Sequence, residues 1–470
     1  MQILHISAEC FPMAKAGGLA DVVGALPKYQ NELHCNASVI MPMHRTRFLE
    51  NNHWDVVHKA SFLFGQNSID FTIIKETKNV LGFELYCVDV FGILDRTSIY
   101  GYEDDTDRFL IFQLAVIHWL NNNEYLPDII HVHDYHAGLI PFMIKHCVEY
   151  RKLSMIKTVL TIHNAQYQGW MSLEKINLFP QFNKELLGLL EWGNCINPLA
   201  AAIKCADKVT TVSPTYMKEL VHQANGLEDL MKQEAAKSLG ILNGIDYNFW
   251  NPRTDKLIVQ KYNSKTFIEG KKINKQKICS DFHFDESLPL FIFIGRLVGE
   301  KAADLLPASI LKAYQQFGQQ FNFLILGSGE ASIESAISEI KQDHVGYYHS
   351  QIEYNETLSH QMYAGADFLL MPSRVEPCGL NQMYALRYGT IPIVRRTGGL
   401  YDTVIDFGDK NGFGICFNHA SVEDIVYSIG RALDLYQSSD KVNSLRKKMI
   451  RINHSWERSA KDYIDLYNSI

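Results

Sequence analysis

The feature that most constrains this chain is the segment from Ala366 to Val404, which alternates two apolar runs with two polar turns. Phe368, Leu369, Leu370 and Met371 form the first run, ending in Pro372-Ser373. A turn with a single carboxylate, Glu376, follows, then Gly379 and residues at helical spacing through Tyr388. Ile391, Ile393 and Val394 make the second run, closed by Arg395-Arg396-Thr397-Gly398-Gly399-Leu400. Short apolar runs alternating with helix-period segments predict β-turn-α-β-turn-α, a unit of parallel sheet. In such sheets ligands gather at the carboxyl ends of the strands, where both turns here carry their polar residues. The two arginines and the Gly398 and Gly399 amides of the second turn suit a phosphate or diphosphate.

The run PSRVEPCGLNQMYALRYGTIPIVRRTGGL resembles the C-terminal signature of bacterial glycogen synthases and plant starch synthases, retaining glucosyltransferases of GT-B architecture. The resemblance implies an α/β fold with two Rossmann-like domains facing a deep interdomain cleft. Turn chemistry at Asn243-Gly244 and Trp250-Asn251-Pro252 places the boundary. The expected division is an acceptor-side domain over 1–244, a nucleotide-sugar domain over 245–454, and a terminal helix over 455–470 that crosses back to the first domain.

Composition agrees with such a chain. At 470 residues, two or three domains are expected. With 47% hydrophobic and 21% charged residues the chain reads as soluble and globular. A net charge of −7 and no basic face interleaved with aromatics argue against nucleic acid as a partner. Nine cysteines without C-x-x-C spacing fit reduced thiols, and a cytoplasmic location is expected. The N-terminus enters a strand-like run over 1–10 with no signal-peptide pattern, and no apolar run is long enough for a membrane.

Along the chain, Lys15-Ala16-Gly17-Gly18-Leu19 follows the first strand and resembles the family's K-x-G-G-L text. A glycine pair there lets backbone approach a ligand, although glycine turns after a first strand are common. The resemblance implies that Gly17 and Gly18 line the donor diphosphate, that Lys15 contacts the sugar nucleotide, and that Asp21 is functional. Alternating runs at 61–75 and 82–90 predict antiparallel strands. The acidic cluster at 103–107 precedes a helix, where carboxylates are favourable in any case, so no metal is expected there.

His131, His133, Asp134 and His136 fall within six residues. A zinc hydrolase is the obvious rival, but H-x-H-x-D-H requires the acid where Tyr135 stands. The run resembles the synthases' H-x-H-D-W-H instead, which implies that Asp134 faces the active site. Thr161-Ile162-His163-Asn164 resembles the family's T-x-H-N, implying that His163 contacts the sugar's 6-hydroxyl.

In the second half, Arg296 and Lys301 lie five residues apart on a strand-to-helix turn and can grip a diphosphate as fork and point charge. They reproduce the family's R-L-x-x-x-K, with Ala302 where glycine is common. Gly327-Ser328-Gly329 lacks a third glycine at the right place and is expected to be a tight turn rather than a dinucleotide site. The resemblance implies that Tyr354 stacks on the donor base, that Glu376 holds glucose hydroxyls, and that Cys378, Gly379, Leu380, Thr397, Gly398 and Gly399 bind substrate.

The expected activity is retaining transfer of glucose from ADP-glucose, alternatively UDP-glucose, to the non-reducing end of an α-1,4-glucan. No metal or cofactor is expected, and domain closure on the donor is. A non-catalytic glucan-binding relative would have lost charged residues that are all present here. A phosphorylase or epimerase does not explain the N- and C-terminal motifs together.

Overall fold

The structure, a computed structural model, describes residues 1–470 apart from the side chain of Gln342. It divides into two compact units, Met1–Asn243 with Trp456–Ile470, and Gly244–Ser455.

The first unit contains β1 (Gln2–Ile6), β2 (Asn36–Pro42), β3 (Trp54–Phe64), β4 (Asn67–Glu76), β5 (Glu84–Asp89), β6 (Ile129–His133), β7 (Lys157–Ile162), β8 (Glu191–Trp192), β9 (Cys195–Ile196), β10 (Lys208–Thr211) and β11 (Ser238–Gly240). Nine of these form one sheet in the order β11-β10-β7-β6-β1-β2-β5-β4-β3. Pairing is parallel from β11 through β5, while β4 is antiparallel to both β5 and β3. The run 61–75 is therefore not one strand. It spans a hairpin that turns at Gly65, whose φ of 63° suits glycine. Successive strands leave β1 in opposite directions, so the gap between the carboxyl ends of β1 and β6 is a topological switch point.

All five residues of β6 are buried, as strands covered on both faces must be. The helix Gly18–Glu32 lays Val22, Leu26 and Tyr29 on the same cluster as Trp456, Ala460, Tyr463, Leu466 and Tyr467 of the helix Trp456–Tyr467. The C-terminal helix is thus part of the first unit's core, and Ser459 Oγ donates to the Leu242 carbonyl at 2.6 Å.

The second unit holds β12 (Leu290–Ile294), β13 (Asn322–Leu326), β14 (Tyr348–Gln351), β15 (Phe368–Met371), β16 (Ile391–Arg395) and β17 (Ile415–Phe417). They form a wholly parallel sheet in the order β14-β13-β12-β15-β16-β17. The segment that opened the sequence reading supplies β15, the helix Asn381–Tyr388, β16 and the helix Gly398–Thr403, as its periodicity predicts. This sheet reverses its order at β12, so its switch point lies between the ends of β12 and β15.

Candidate active site

In the first unit the chain leaving β1 carries Glu9, which is 3% exposed. Its carboxylate accepts from the Ala16 and Gly17 amides at 2.6 and 3.0 Å and from the Tyr100 hydroxyl at 2.6 Å. This corrects one expectation: the Gly17 N–H is bound by Glu9 and is not offered to a phosphate. A Cβ added at Gly17 or Gly18 would meet nothing within 4 Å, so no protein packing demands glycine there. Lys15 donates to Asp21 at 2.7 Å across the same loop. An open depression of about 530 Å³ is lined by Met13, Lys15, Ala16, Thr97 and Tyr100.

Asp134 caps β6 with φ 54° and ψ −169°, a backbone state that costs a non-glycine residue roughly 1–3 kcal/mol. Its carboxylate accepts from the His163 amide at 2.7 Å. Burial is the larger influence and pushes Asp134 up to about 7, against the pull of the His163 and Asn164 amides. Burial also lowers the His163 ring to about 3, so it is neutral at physiological pH and presents a hydrogen-bonding surface, not a cation. The acids at 104, 105 and 107 are engaged by Arg96, Arg108 and Lys175, an ordinary ion-paired helix start.

In the second unit, Lys301 and Glu376 come from the two strand ends that flank the switch point. Lys301 Nζ lies 2.7 Å from both Glu376 oxygens, and Ser373 Oγ donates to the same carboxylate at 2.8 Å. Glu376 is 6% exposed, and breaking such a buried pair from one side is costly. Arg374 braces the pair, donating to the Gly299 carbonyl and ion-pairing with Asp304, while its own amide binds the Glu300 carbonyl. Arg296, half exposed, contacts Glu300 at 3.0 Å.

Two further expectations are corrected here. Arg395 spends its guanidinium on the carbonyls of Ser373, Arg374 and Asn418, and Arg396 contacts Asp409 at 3.3 Å. The Gly399 amide donates to the Glu376 and Pro377 carbonyls at 3.1 and 3.2 Å, so it does not serve an anion. Asn381 donates its amide to the Ile294 carbonyl at 2.7 Å. Arg395 and Gly399 hold the turn that carries Glu376, whose carbonyls need donors, while Asn381 ties the following helix to the end of β12. A Cβ on Gly398 or Gly399 would come within 2.0 Å of the Glu376 or Cys378 carbonyl, which explains the glycine pair by packing. Gly379 takes φ 71°, Leu380 caps the helix Asn381–Tyr388, and Cys378 and Thr397 are buried in the same turn pair. Tyr354 is 72% exposed, its hydroxyl bonded to Glu356. Gly327 and Gly329 pack directly on the carbonyls of Gly295 and Leu297, a close turn as expected.

Ala302 sits at φ 53°, fully buried, where the family text favours glycine. A left-handed conformation costs an L-residue about 1–2 kcal/mol, partly offset by glycine's larger chain entropy. Ala302→Gly is expected to raise unfolding stability by up to about 1 kcal/mol, read as a higher midpoint in urea. A lower midpoint would mean that the buried methyl outweighs the strain.

Sequence reasoning missed Glu9, His5 and Gln30. The signal for Glu9 was a carboxylate at the end of a run read as a buried strand.

Two doubly wound units with polar groups at each switch point make an α/β protein of two Rossmann-like domains, the architecture that GT-B glycosyltransferases share. Residues 2–233 match the family described as starch synthase catalytic domain, and residues 274–453 match glycosyl transferases group 1. The chain is 51% identical to a glycogen synthase of Flavobacterium johnsoniae over 100% of its length and 99% of that protein. It is 35% identical to one of Geobacillus stearothermophilus, covering 100% and 98%. The catalytic domain of starch synthase IV from Arabidopsis thaliana, solved bound to ADP and acarbose, superposes with a TM-score of 0.90 at 31% identity, covering 100% and 99%. A sucrose-phosphate synthase from Thermosynechococcus elongatus shares the fold at a TM-score of 0.64 and 17% identity, covering 99% and 98%. The chain belongs to the glycogen synthase family. No helix among the described residues is long and apolar enough to cross a membrane.

Proposed function

We propose that this glycosyltransferase moves glucose from ADP-glucose to the non-reducing end of an α-1,4-glucan, with retention at the anomeric carbon. The observation that carries the reading is the Lys301–Glu376–Ser373 cluster at the switch point of the second unit's sheet. Support comes also from the family and from the ADP and acarbose held by the starch synthase relative.

The second unit takes the nucleotide sugar. Lys301 and Arg296 carry positive charge to the diphosphate, and Glu376 accepts from the glucose 3- and 4-hydroxyls. Tyr354 offers an aromatic face to the base. Cys378, Gly379, Leu380, Thr397 and Gly398 shape the turn around the glucose, and Gly399 keeps that turn packed. In the first unit, Lys15, Gly17 and Gly18 form a loop open to close approach. Asp21 holds Lys15, Asp134 fixes the His163 backbone, and the neutral His163 ring meets the 6-hydroxyl.

In the reaction the bond from C1 to the phosphate oxygen breaks and a bond from C1 to the acceptor's 4-oxygen forms on the same face. The acceptor's proton passes to the leaving phosphate oxygen. Stabilising the charge that grows on that phosphate is the largest contribution expected of the protein, and Lys301 is the cation best placed to make it. Glu376, bound on both oxygens by Lys301, acts as a hydroxyl acceptor and not as a nucleophile. A cytoplasmic location completes the proposal.

Nucleotide release from ADP-glucose and UDP-glucose, measured in parallel with glycogen, tests the donor. ADP release that depends on glycogen and exceeds UDP release at least about tenfold is the expected result, a difference of about 1.4 kcal/mol in transition-state binding. Faster UDP release would reassign the donor while leaving the reaction class intact.

A further inference from the structure

His5, His131 and His133 offer nitrogens that lie within 4.8 Å of one another, all buried, with β1 and β6 paired in register at His5 and His131. Such a trio suits a metal in principle, but every one of its ring nitrogens is already in a hydrogen bond. Two chains of bonds leave the buried amide of Gln30. In the first, Gln30 Nε2 lies 3.1 Å from the Tyr467 hydroxyl, which lies 2.7 Å from His131 Nδ1. His131 Nε2 continues to Thr161 Oγ1 at 2.6 Å, then to Thr210 Oγ1 at 2.6 Å, then to the Leu160 carbonyl at 3.1 Å. In the second, Gln30 Oε1 lies 2.8 Å from His5 Nε2, His5 Nδ1 lies 3.0 Å from His133 Nε2, and His133 Nδ1 lies 3.0 Å from His163 Nε2.

The direction of both chains follows from their ends. Thr210 Oγ1 donates its single proton to the Leu160 carbonyl, and at the other end Gln30 turns its NH2 to Tyr467 and its oxygen to His5, so both ends set the same direction. Thr161 must then donate to Thr210 and accept from His131 Nε2–H. Burial keeps the four rings neutral, with His5 lowered to about 4, His163 to about 3, and His131 and His133 well below their ordinary value. A neutral ring has one proton, so His131 Nδ1 accepts from Tyr467, and Tyr467 accepts from the Gln30 NH2. The Gln30 oxygen is thereby turned to His5 and accepts its Nε2–H. His133 donates from Nε2 to His5, and His163 donates from Nε2 to His133. The proton of the His163 ring is used inside the core, and its Nδ1 carries a lone pair.

We propose that Gln30, acting through His5 and His133, is a positioning residue that holds His163 as the Nε2–H tautomer. The His163 Nδ1 is then an obligate acceptor, which takes a hydrogen bond from a sugar hydroxyl and rejects a 6-carboxylate. The selectivity rests on the reading above that His163 meets the 6-hydroxyl. A donor sugar oxidised at C6 offers only acceptors to that lone pair, whereas a hydroxyl offers its proton.

The test uses the full chain labelled with 15N-histidine, the His163 resonances being assigned by their loss in His163→Ala. The expected spectrum near pH 7.5 is neutral His163 protonated on Nε2. Gln30→Met keeps the side-chain length but removes donor and acceptor, and is expected to give His163 in both tautomers. In that variant kcat/KM should fall about three- to tenfold with ADP-glucose, the worth of one hydrogen bond. With ADP-6-deoxyglucose it should not change, whereas a merely structural role for Gln30 lowers both values alike. His163 protonated on Nδ1 or on both nitrogens in the wild type overturns the proposal, as does an equal fall with both donors. Should Gln30→Met not fold, the wild-type spectrum decides the tautomer, and equal use of ADP-glucuronate and ADP-glucose by the wild type overturns the selectivity. Nε2–H in the wild type together with equal use of ADP-glucose and ADP-6-deoxyglucose leaves the tautomer standing and defeats the placement of His163 at the 6-hydroxyl.

Discussion

Lys301→Ala is expected to lower kcat about 10²–10³-fold, the usual cost of removing one preorganised group that stabilises a developing anion. Two effects act together at this position. The ammonium is the compact cation closest to the carboxylate assigned to the sugar, and its loss leaves the leaving diphosphate less neutralised. Glu376, almost fully buried, would also lose both contacts to its cation and keep only Ser373. Breaking such a pair from one side costs stability, commonly about 3–5 kcal/mol for fully buried partners and less here, because the Lys301 side chain is 23% exposed. Lys301→Met combined with Glu376→Gln should recover stability without recovering activity, which separates the two effects. Lys301→Arg should not restore the rate, because a planar fork does not occupy the place of a point charge. Steady-state kinetics with a urea titration of each variant provide the check. A kcat within about threefold of wild type for Lys301→Ala would remove this lysine from the chemistry.

Asp134→Asn is expected to lower activity and raise stability at alkaline pH. The Asp134 carboxyl is raised from 3.8 to about 7 by burial. Protons bound to the folded state and not to the unfolded one stabilise the fold, so this contribution is fully present below about pH 4 and is lost as pH rises through 7. The difference between the two limits is roughly 4 kcal/mol. Asparagine keeps an acceptor for the His163 amide, tolerates positive φ, and carries no charge to desolvate. Thermal unfolding of the variant and the wild type should therefore diverge between pH 4 and pH 8, the variant melting several degrees higher at pH 8. Equal midpoints at pH 8 would show that the carboxylate is compensated in the fold. Lower activity in a more stable protein is what a strained, buried functional group produces when it is relieved.

The second unit's switch point was legible in part before the fold was known. Periodicity across 366–404 was enough to foresee the parallel unit that carries Glu376, and the spacing of Arg296 and Lys301 marked a second turn. That Lys301 and Glu376 touch was not legible, because 75 residues separate them and only the adjacency of β12 and β15 brings them together. Arg395 shows the opposite failure. Two arginines before a glycine pair read as an anion site, but a guanidinium fork satisfies carbonyls as readily as phosphates, and Arg395 binds three of them. The hairpin at Gly65 was hidden because β3 and β4 are joined so tightly that their alternation runs on through the turn. Gln30 lies on a helix whose amphipathic pattern is satisfied without it, so nothing local marks it as the junction of two hydrogen-bond chains.

The central claim is glucosyl transfer to a glucan, carried by Glu376 and its lysine. Glucose labelled in the donor ADP-glucose, incubated with glycogen, tests it directly. The account predicts label at the chain ends, in a form that an exo-acting α-1,4-specific hydrolase removes, with Glu376→Ala giving at most about a hundredth of the wild-type incorporation. ADP release with the label left as free glucose, or incorporation that persists in Glu376→Ala, would contradict it.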